Sequence, residues 1–210
     1  MASKRLIIGI VGAAASGKSL GAKILARELC ARIIDVDALG HKALLAKKGA
    51  ILRAFGPTVA AKNAIDRKAL GAVVFASQKK LSLLEHIVHP WMRTQVRSTI
   101  RRTRGHIIID AALLYRMRLD AICDRVIHID VPSSTLVSRL VTCRRMKKAA
   151  AMRLLARQKD IKRSLSRSDI IIKNTSGTHA FRTVLSFAAR LLCRTIKTRP
   201  RPPRTSSAIS

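Results

Sequence analysis

Residues Gly12-Ala13-Ala14-Ala15-Ser16-Gly17-Lys18-Ser19 fit the pattern G-x-x-x-x-G-K-[ST]. They lie directly after an apolar run, residues 6–11, and directly before an amphipathic stretch, residues 18–30. Strand, loop and helix in that order predict a concave run of backbone N–H groups at a helix N-terminus, where unsatisfied donors and the helix dipole both favour a phosphate chain. Gly12 and Gly17 permit the turn and the close approach of the backbone, while Ala13 and Ala15 are expected at negative φ. Lys18 can reach the β- and γ-phosphates of a nucleotide, and the Ser19 hydroxyl can ligate Mg²⁺. Two blander readings compete. One is an ordinary tight turn. The other is a secretory leader, since Lys4 and Arg5 precede the apolar run and Ala13-Ala14-Ala15 resembles a cleavage site, but cleavage there would cut through the motif.

The rest of the chain continues the same alternation. Short runs rich in Ile or Val at residues 6–11, 32–34, 106–110, 125–130 and 169–172 are separated by amphipathic stretches, the rhythm of an open parallel sheet covered by helices. The seventy or so residues between the second and third runs exceed what a crossover needs, so a wholly helical insert is expected over about 40–104. The last helix, about 178–196, places Phe181, Val184, Leu185, Ala188 and Leu192 on a stripe that should pack on the sheet. Residues 198–210, rich in Pro and Arg, read as a disordered basic tail after a domain of residues 1–197. No apolar run approaches the ~18 residues a membrane span requires. The cysteines, Cys30, Cys123, Cys143 and Cys193, lie far apart without a C-x-x-C pair, which suits reduced thiols in the cytoplasm.

Several charged residues bear on chemistry. The second strand leads into Ile34-Asp35-Val36-Asp37, and strand alternation would send both carboxylates to one side at its carboxyl end, the edge where open α/β sheets bind ligands. One could orient a nucleophile or a metal-bound water and the other accept a proton from an attacking hydroxyl; capping of the next helix by Asp37 is the bland alternative. Arg139, Arg144, Arg145, Lys147 and Lys148 could form a cationic segment over a transferring phosphoryl group, or simply a solvated charge run. Against 42 Lys+Arg stand only 11 Asp+Glu, a formal charge of +31, and self-repulsion on that scale invites polyanions. Arg93, Arg97, Arg101 and Arg104 recur at helical spacing with no acid to pair them. The shortage of interleaved aromatics argues against a single-strand stacking platform, and no zinc-ligand spacing is present.

Taken with their order and spacing, these pieces resemble the dephospho-coenzyme A kinase family over nearly the whole chain. The family's loop is similar to Gly12–Ser19, its I-D-x-D to Ile34-Asp35-Val36-Asp37, and its F-G to Phe55-Gly56. Ile65-Asp66-Arg67-Lys68-Ala69-Leu70 through Phe75 resembles its I-D-R-x-x-L signature, and Leu84 through His89-Pro90 its L-x-x-I-x-H-P signature. Gln158, Asp169 and Asn174 fall where the family has A-x-Q, A-D and D-N features. Departures are Arg116 in place of the usual glutamate, Arg145 in place of a lid aspartate, and Lys173 before Asn174.

The resemblance implies a P-loop NTPase-type three-layer α/β fold, with a five-stranded parallel sheet, an acceptor-binding helical insert and a short lid at about 142–150. It implies ATP and Mg²⁺ as cofactors and dephospho-coenzyme A as acceptor, phosphorylated on its ribose 3′-hydroxyl. Asp37 would be the base. Lys18, Arg139 and Arg144 would serve the transferring phosphoryl group, Gly12 to Ser19 and Asn174 the nucleotide, and Asp35, Arg67 and His89 the acceptor. A monomer or weak oligomer is expected. Two alternatives stay open: another small-molecule kinase of nucleoside monophosphate kinase type, and a degenerate kinase fold that binds nucleic acid through its basic surface.

Overall fold

The structure is a computed structural model that describes residues 5–175 and 177–195. The tail expected over residues 198–210 lies outside the described residues. In chain order the elements are β1 (Ile7–Gly12), α1 (Lys18–Glu28), β2 (Arg32–Asp35), α2 (Val36–Ala46), α3 (Lys48–Phe55), β3 (Ala60–Ala61), β4 (Ala64–Ile65), α4 (Arg67–Phe75) and α5 (Gln78–Arg102). They continue with β5 (Ile107–Asp110), β6 (Arg125–Asp130), α6 (Ser133–Arg144), α7 (Lys148–Ala156), α8 (Lys159–Arg163), β7 (Ile170–Lys173) and α9 (Thr178–Thr195). Two compact units result, one from residues before 35 and after 102, the other Asp35–Arg102.

The first unit is built on a five-stranded parallel sheet of order β2-β5-β1-β6-β7. Its central strands β1, β5 and β6 are dominated by Ile and Val because both of their faces are covered, leaving no solvent side for polar alternation, whereas the edge strands β2 and β7 keep exposed positions. On one face Ile8, Ile10, Ile108, Ile127, Ile129 and Ile172 pack with Ala22 and Leu25 of α1 and with Phe181, Leu185 and Leu192 of α9. Each large aliphatic side chain removed from water there contributes about 1.5–3 kcal/mol. Val184, expected on the buried stripe, is 46% exposed, and Ala189 is buried instead. The spacing 181, 185, 188, 189, 192 is the true core face of that helix.

The opposite face carries Gly9, where an added Cβ would lie 2.8 Å from Leu114 Cδ2 and 3.0 Å from Cys123 Sγ, so the chain after β5 lies directly on the strand. His128 of β6 is buried and its Nδ1 has no hydrogen-bond partner. Burial holds its pKa below the ordinary 6.5, with the Asp130 charge pulling the other way.

In the second unit α2, α3 and α4 each pack against α5. The expectation of a wholly helical insert is corrected by the antiparallel pair β3–β4, in which Ala60 faces Ile65 and Ala61 faces Ala64. Lys62-Asn63 make the two-residue connection, and Asn is a residue that tolerates such tight turns. Pro90 sits inside α5 without ending it. The unit begins at Asp35 rather than near residue 40 because α2 follows β2 without a linker.

Candidate active site

β1 ends at Gly12 and α1 begins at Lys18, so the loop between them opens at the carboxyl edge of the sheet. Two glycines make the geometry possible. A Cβ at Gly12 would stand 2.6 Å from Ser16 Oγ and 3.0 Å from the Ile129 carbonyl oxygen. Gly17 has φ 92°, a left-handed conformation that L side chains resist, and a Cβ there would meet Asn174 Nδ2 at 2.5 Å. Ala15 also takes a left-handed conformation, with φ 63°, which corrects the expectation of negative φ. An alanine there costs about 1–2 kcal/mol, so the neighbouring structure must hold it.

Three consecutive loop residues are indeed each held by a side chain from the C-terminal half of the chain. Ala14 N donates to Gln158 Oε1 at 2.9 Å, and Arg139 Nη1 donates to the Ala15 carbonyl oxygen at 3.4 Å. Asn174 Nδ2 donates to the Ser16 carbonyl oxygen at 2.8 Å. Asn174 is buried and fixed at both ends of its own backbone: its N–H donates to the Asp130 carbonyl at 3.0 Å, and its carbonyl accepts from Arg139 Nη2 at 2.9 Å. Ser16 is buried as well, and its Oγ has no partner. Ser16 N closes the turn onto the Ala13 carbonyl at 3.1 Å.

Lys18 is buried and its Nζ donates to Asp110 Oδ1. Asp110 ends β5 and lies in register with Ile10 of β1, two residues before the loop. Sequence reasoning missed this carboxylate, although the signal was present: a single acid closing the run His106-Ile107-Ile108-Ile109 at the sheet's carboxyl edge. Ser19, in the first turn of α1, is exposed. The hydroxyl of Ser19 and the carboxylate of Asp110 are hard oxygen donors on the same sheet edge, a set that suits Mg²⁺. Among the described residues no cluster of three or more His, Cys, Asp or Glu forms. Mg²⁺ does not require one, since it is commonly held by one or two protein oxygens, waters and substrate phosphates.

Arg144 is exposed at the last turn of α6, and Arg145 follows in a left-handed conformation with φ 51°. The segment expected as a lid, about 142–150, therefore consists of two helix ends and the turn Arg145-Met146-Lys147 between them. A pocket beside the loop is lined by Val11, Tyr115, Arg116, Arg157, Gln158 and Asp160, which puts the departure at Arg116 on its wall.

Asp35, Asp37, Arg67 and His89 belong to the second unit. The alternation argument for Asp35 and Asp37 is corrected by the structure: the strand ends at Asp35 and Val36 already begins α2. Asp35 is the N-cap, its Oδ1 accepting from Ala38 N at 2.8 Å, while Asp37 lies in the first helical turn and is exposed. Capping thus falls to Asp35 and not to Asp37. Arg67 opens α4 and is exposed, with Asp66 capping that helix through Lys68 N and Ala69 N. His89 is buried in α5 just before Pro90.

The pattern of one protein family, described as dephospho-CoA kinase, matches residues 6–180. The chain belongs to the dephospho-CoA kinase family. Among curated relatives, the dephospho-CoA kinase of Borreliella burgdorferi is 36% identical over 142 residues, 67% of this chain and 69% of that protein. The dephospho-CoA kinase of Symbiobacterium thermophilum is 34% identical over 195 residues, covering 89% and 81% respectively. The fold is shared with the solved dephospho-CoA kinase of Campylobacter jejuni, with TM-score 0.68 and 24% identity over 92% of this chain and all of that one. As a P-loop kinase family, dephospho-CoA kinases use ATP, and the loop described above is where a triphosphate belongs in such a fold. Among the described residues no helix is long and apolar enough to cross a membrane.

Proposed function

We propose that this chain transfers the γ-phosphoryl group of ATP to the ribose 3′-hydroxyl of dephospho-coenzyme A, giving coenzyme A and ADP. The observation that carries the reading is the loop itself, a run of amides between Gly12 and Ser19 that ends at a buried lysine paired with a carboxylate. The loop's N–H groups outside the Ala14 and Ser16 contacts, together with the Lys18 ammonium, hold the triphosphate, and their fixed dipoles and charge act without reorganising during the reaction. Ser19 and Asp110 would hold Mg²⁺, which when bound neutralises charge on the β- and γ-phosphates.

In the transfer the 3′-oxygen forms a bond to the γ-phosphorus as the bond to the ADP oxygen breaks, and Asp37 takes the hydroxyl proton. Arg144 supplies positive charge to the phosphoryl oxygens. Arg139 serves the same region through the Ala15 and Asn174 carbonyls. Asn174 frames the nucleotide end of the loop, and Asp35, Arg67 and His89 orient the acceptor. The reaction proceeds in the cytoplasm, a compartment that keeps thiols such as Cys30, Cys123, Cys143 and Cys193, none of them in a disulfide, reduced.

The test is ADP release with ATP and Mg²⁺ over an acceptor panel of dephospho-coenzyme A and nucleoside monophosphates. Turnover with dephospho-coenzyme A alone supports the reading; preference for a nucleoside monophosphate overturns it. A second reading, association with nucleic acid, is favoured by Arg97 and Arg101, which lie exposed four residues apart on α5, where no acid follows Glu85. It requires an affinity that falls steeply with salt.

A further inference from the structure

Gln158 follows α7 and precedes α8, and the backbone there is doubly fixed: Gln158 N donates to the Leu155 carbonyl at 3.0 Å, and its own carbonyl accepts from Ile161 N at 3.0 Å. Ile161 is buried, and α8 packs against β1. The side chain is thus delivered from a rigid corner, and its Oε1 accepts the Ala14 N–H, 144 positions earlier in the chain. Ala14 lies between Ala13 and the left-handed Ala15, in the part of the loop that contains no glycine. A donor in that stretch left without an acceptor would let the loop relax toward ordinary alanine conformations, which turn the amides away from one another.

We propose that Gln158 is a positioning residue of the phosphate loop: by taking the Ala14 N–H in the nucleotide-free protein it holds the alanine stretch in the concave form, so that binding a triphosphate requires no further ordering of the loop. The consequence for nucleotide affinity rests on the proposed kinase reading, whereas the hold on Ala14 does not. The amide oxygen is suited to this role. It is a neutral acceptor, and it brings no negative charge to the place where phosphates collect, as a glutamate would. Arg139 and Asn174 grip the carbonyls of the next two residues, so Gln158 supplies the one contact in the set that acts on a loop donor. Preorganisation of this kind lowers the ordering cost of binding and leaves the chemical step largely untouched.

The test uses the full chain in three forms: wild type, Gln158→Met, which keeps the length but removes the acceptor, and Gln158→Glu, which restores an acceptor oxygen. Hydrogen exchange at the Ala14 amide is measured without nucleotide, ADP affinity by calorimetry without acceptor, and kcat and KM for ATP with dephospho-coenzyme A. In Gln158→Met the Ala14 amide exchanges roughly tenfold faster, and ADP affinity and KM for ATP weaken by about three- to tenfold, one hydrogen bond's worth. Its kcat at saturation stays within about twofold. Gln158→Glu returns the slow exchange even though its charge weakens ADP binding. Unchanged exchange in Gln158→Met, exchange in Gln158→Glu as fast as in Gln158→Met, or a kcat that falls more than KM rises each overturns the proposal. A wild-type protein that binds ADP but does not phosphorylate dephospho-coenzyme A overturns the acceptor reading instead, and the exchange result still decides the role of Gln158.

Discussion

Lys18 and Asp110 stand 92 positions apart in the chain and meet as a buried ion pair, the lysine from the first turn of α1 and the aspartate from the last residue of β5. Asp110→Ala takes this carboxylate away from a buried ammonium, so it should lower the unfolding free energy in urea denaturation, by at most about 3–5 kcal/mol. The double variant Lys18→Met with Asp110→Leu should recover most of that loss while losing turnover altogether. A double variant no more stable than Asp110→Ala would mean the pair does not act as a unit.

Asp37 is proposed as the group that takes the acceptor's proton. Asp37→Asn keeps the size of the side chain and removes the base, so kcat should fall by about 10²–10⁴ while ADP affinity measured by calorimetry changes little. Retention of most turnover would take Asp37 out of the base role.

His128 makes stability depend on pH. Its folded pKa is depressed, so between that value and 6.5 the unfolded chain binds more protons than the native one, and stability rises with pH across that window. The contribution is fully present above pH 6.5 and is lost as the pH falls toward the folded pKa. His128→Met should flatten this part of the stability profile, measured as denaturation midpoint from pH 5 to 7. An unchanged slope would assign the effect to other groups.

Ala15→Gly removes the steric cost of a left-handed alanine but adds freedom to the unfolded chain. The first effect is larger at about 1–2 kcal/mol, so the variant should be modestly more stable in thermal melts. A lower melting temperature would show that the neighbouring grips on Ala14, Ala15 and Ser16 already relieve the backbone.

Phe181 packs under the start of α1, where Cβ atoms built at Gly17 and Gly21 would lie 3.6 and 3.5 Å from its ring. Phe181→Ala should cost about 3–5 kcal/mol and weaken ADP binding as the support for the loop is lost. Full ADP affinity in a destabilised variant would separate the core from the site.

What was legible in the sequence was what has a local cause. The apolar runs before Gly12 and before Asp130 announce their strands because both sheet faces are covered, and the loop motif needs only its own residues and flanks. The common strand face expected for Asp35 and Asp37 does not form because strand periodicity was carried one step too far: the backbone turns helical at Val36, and a capping carboxylate and a strand-end carboxylate look alike in the sequence. The grips of Gln158, Arg139 and Asn174 on the loop depend on chain segments more than a hundred residues away. Periodicity carries no trace of such pairings. The turn at Lys62-Asn63 was missed for a smaller reason, since two-residue strands are too short to show alternation.

Arg139 bridges the Ala15 and Asn174 main-chain oxygens. A guanidinium anchored in this way behaves as a rivet between two stretches of backbone, and its reach is fixed in advance. By contrast Arg144 and Lys148, at the facing ends of α6 and α7, lie exposed on either side of the turn Arg145-Met146-Lys147. The molecule thereby sets a cation tied into its framework apart from cations presented to solvent.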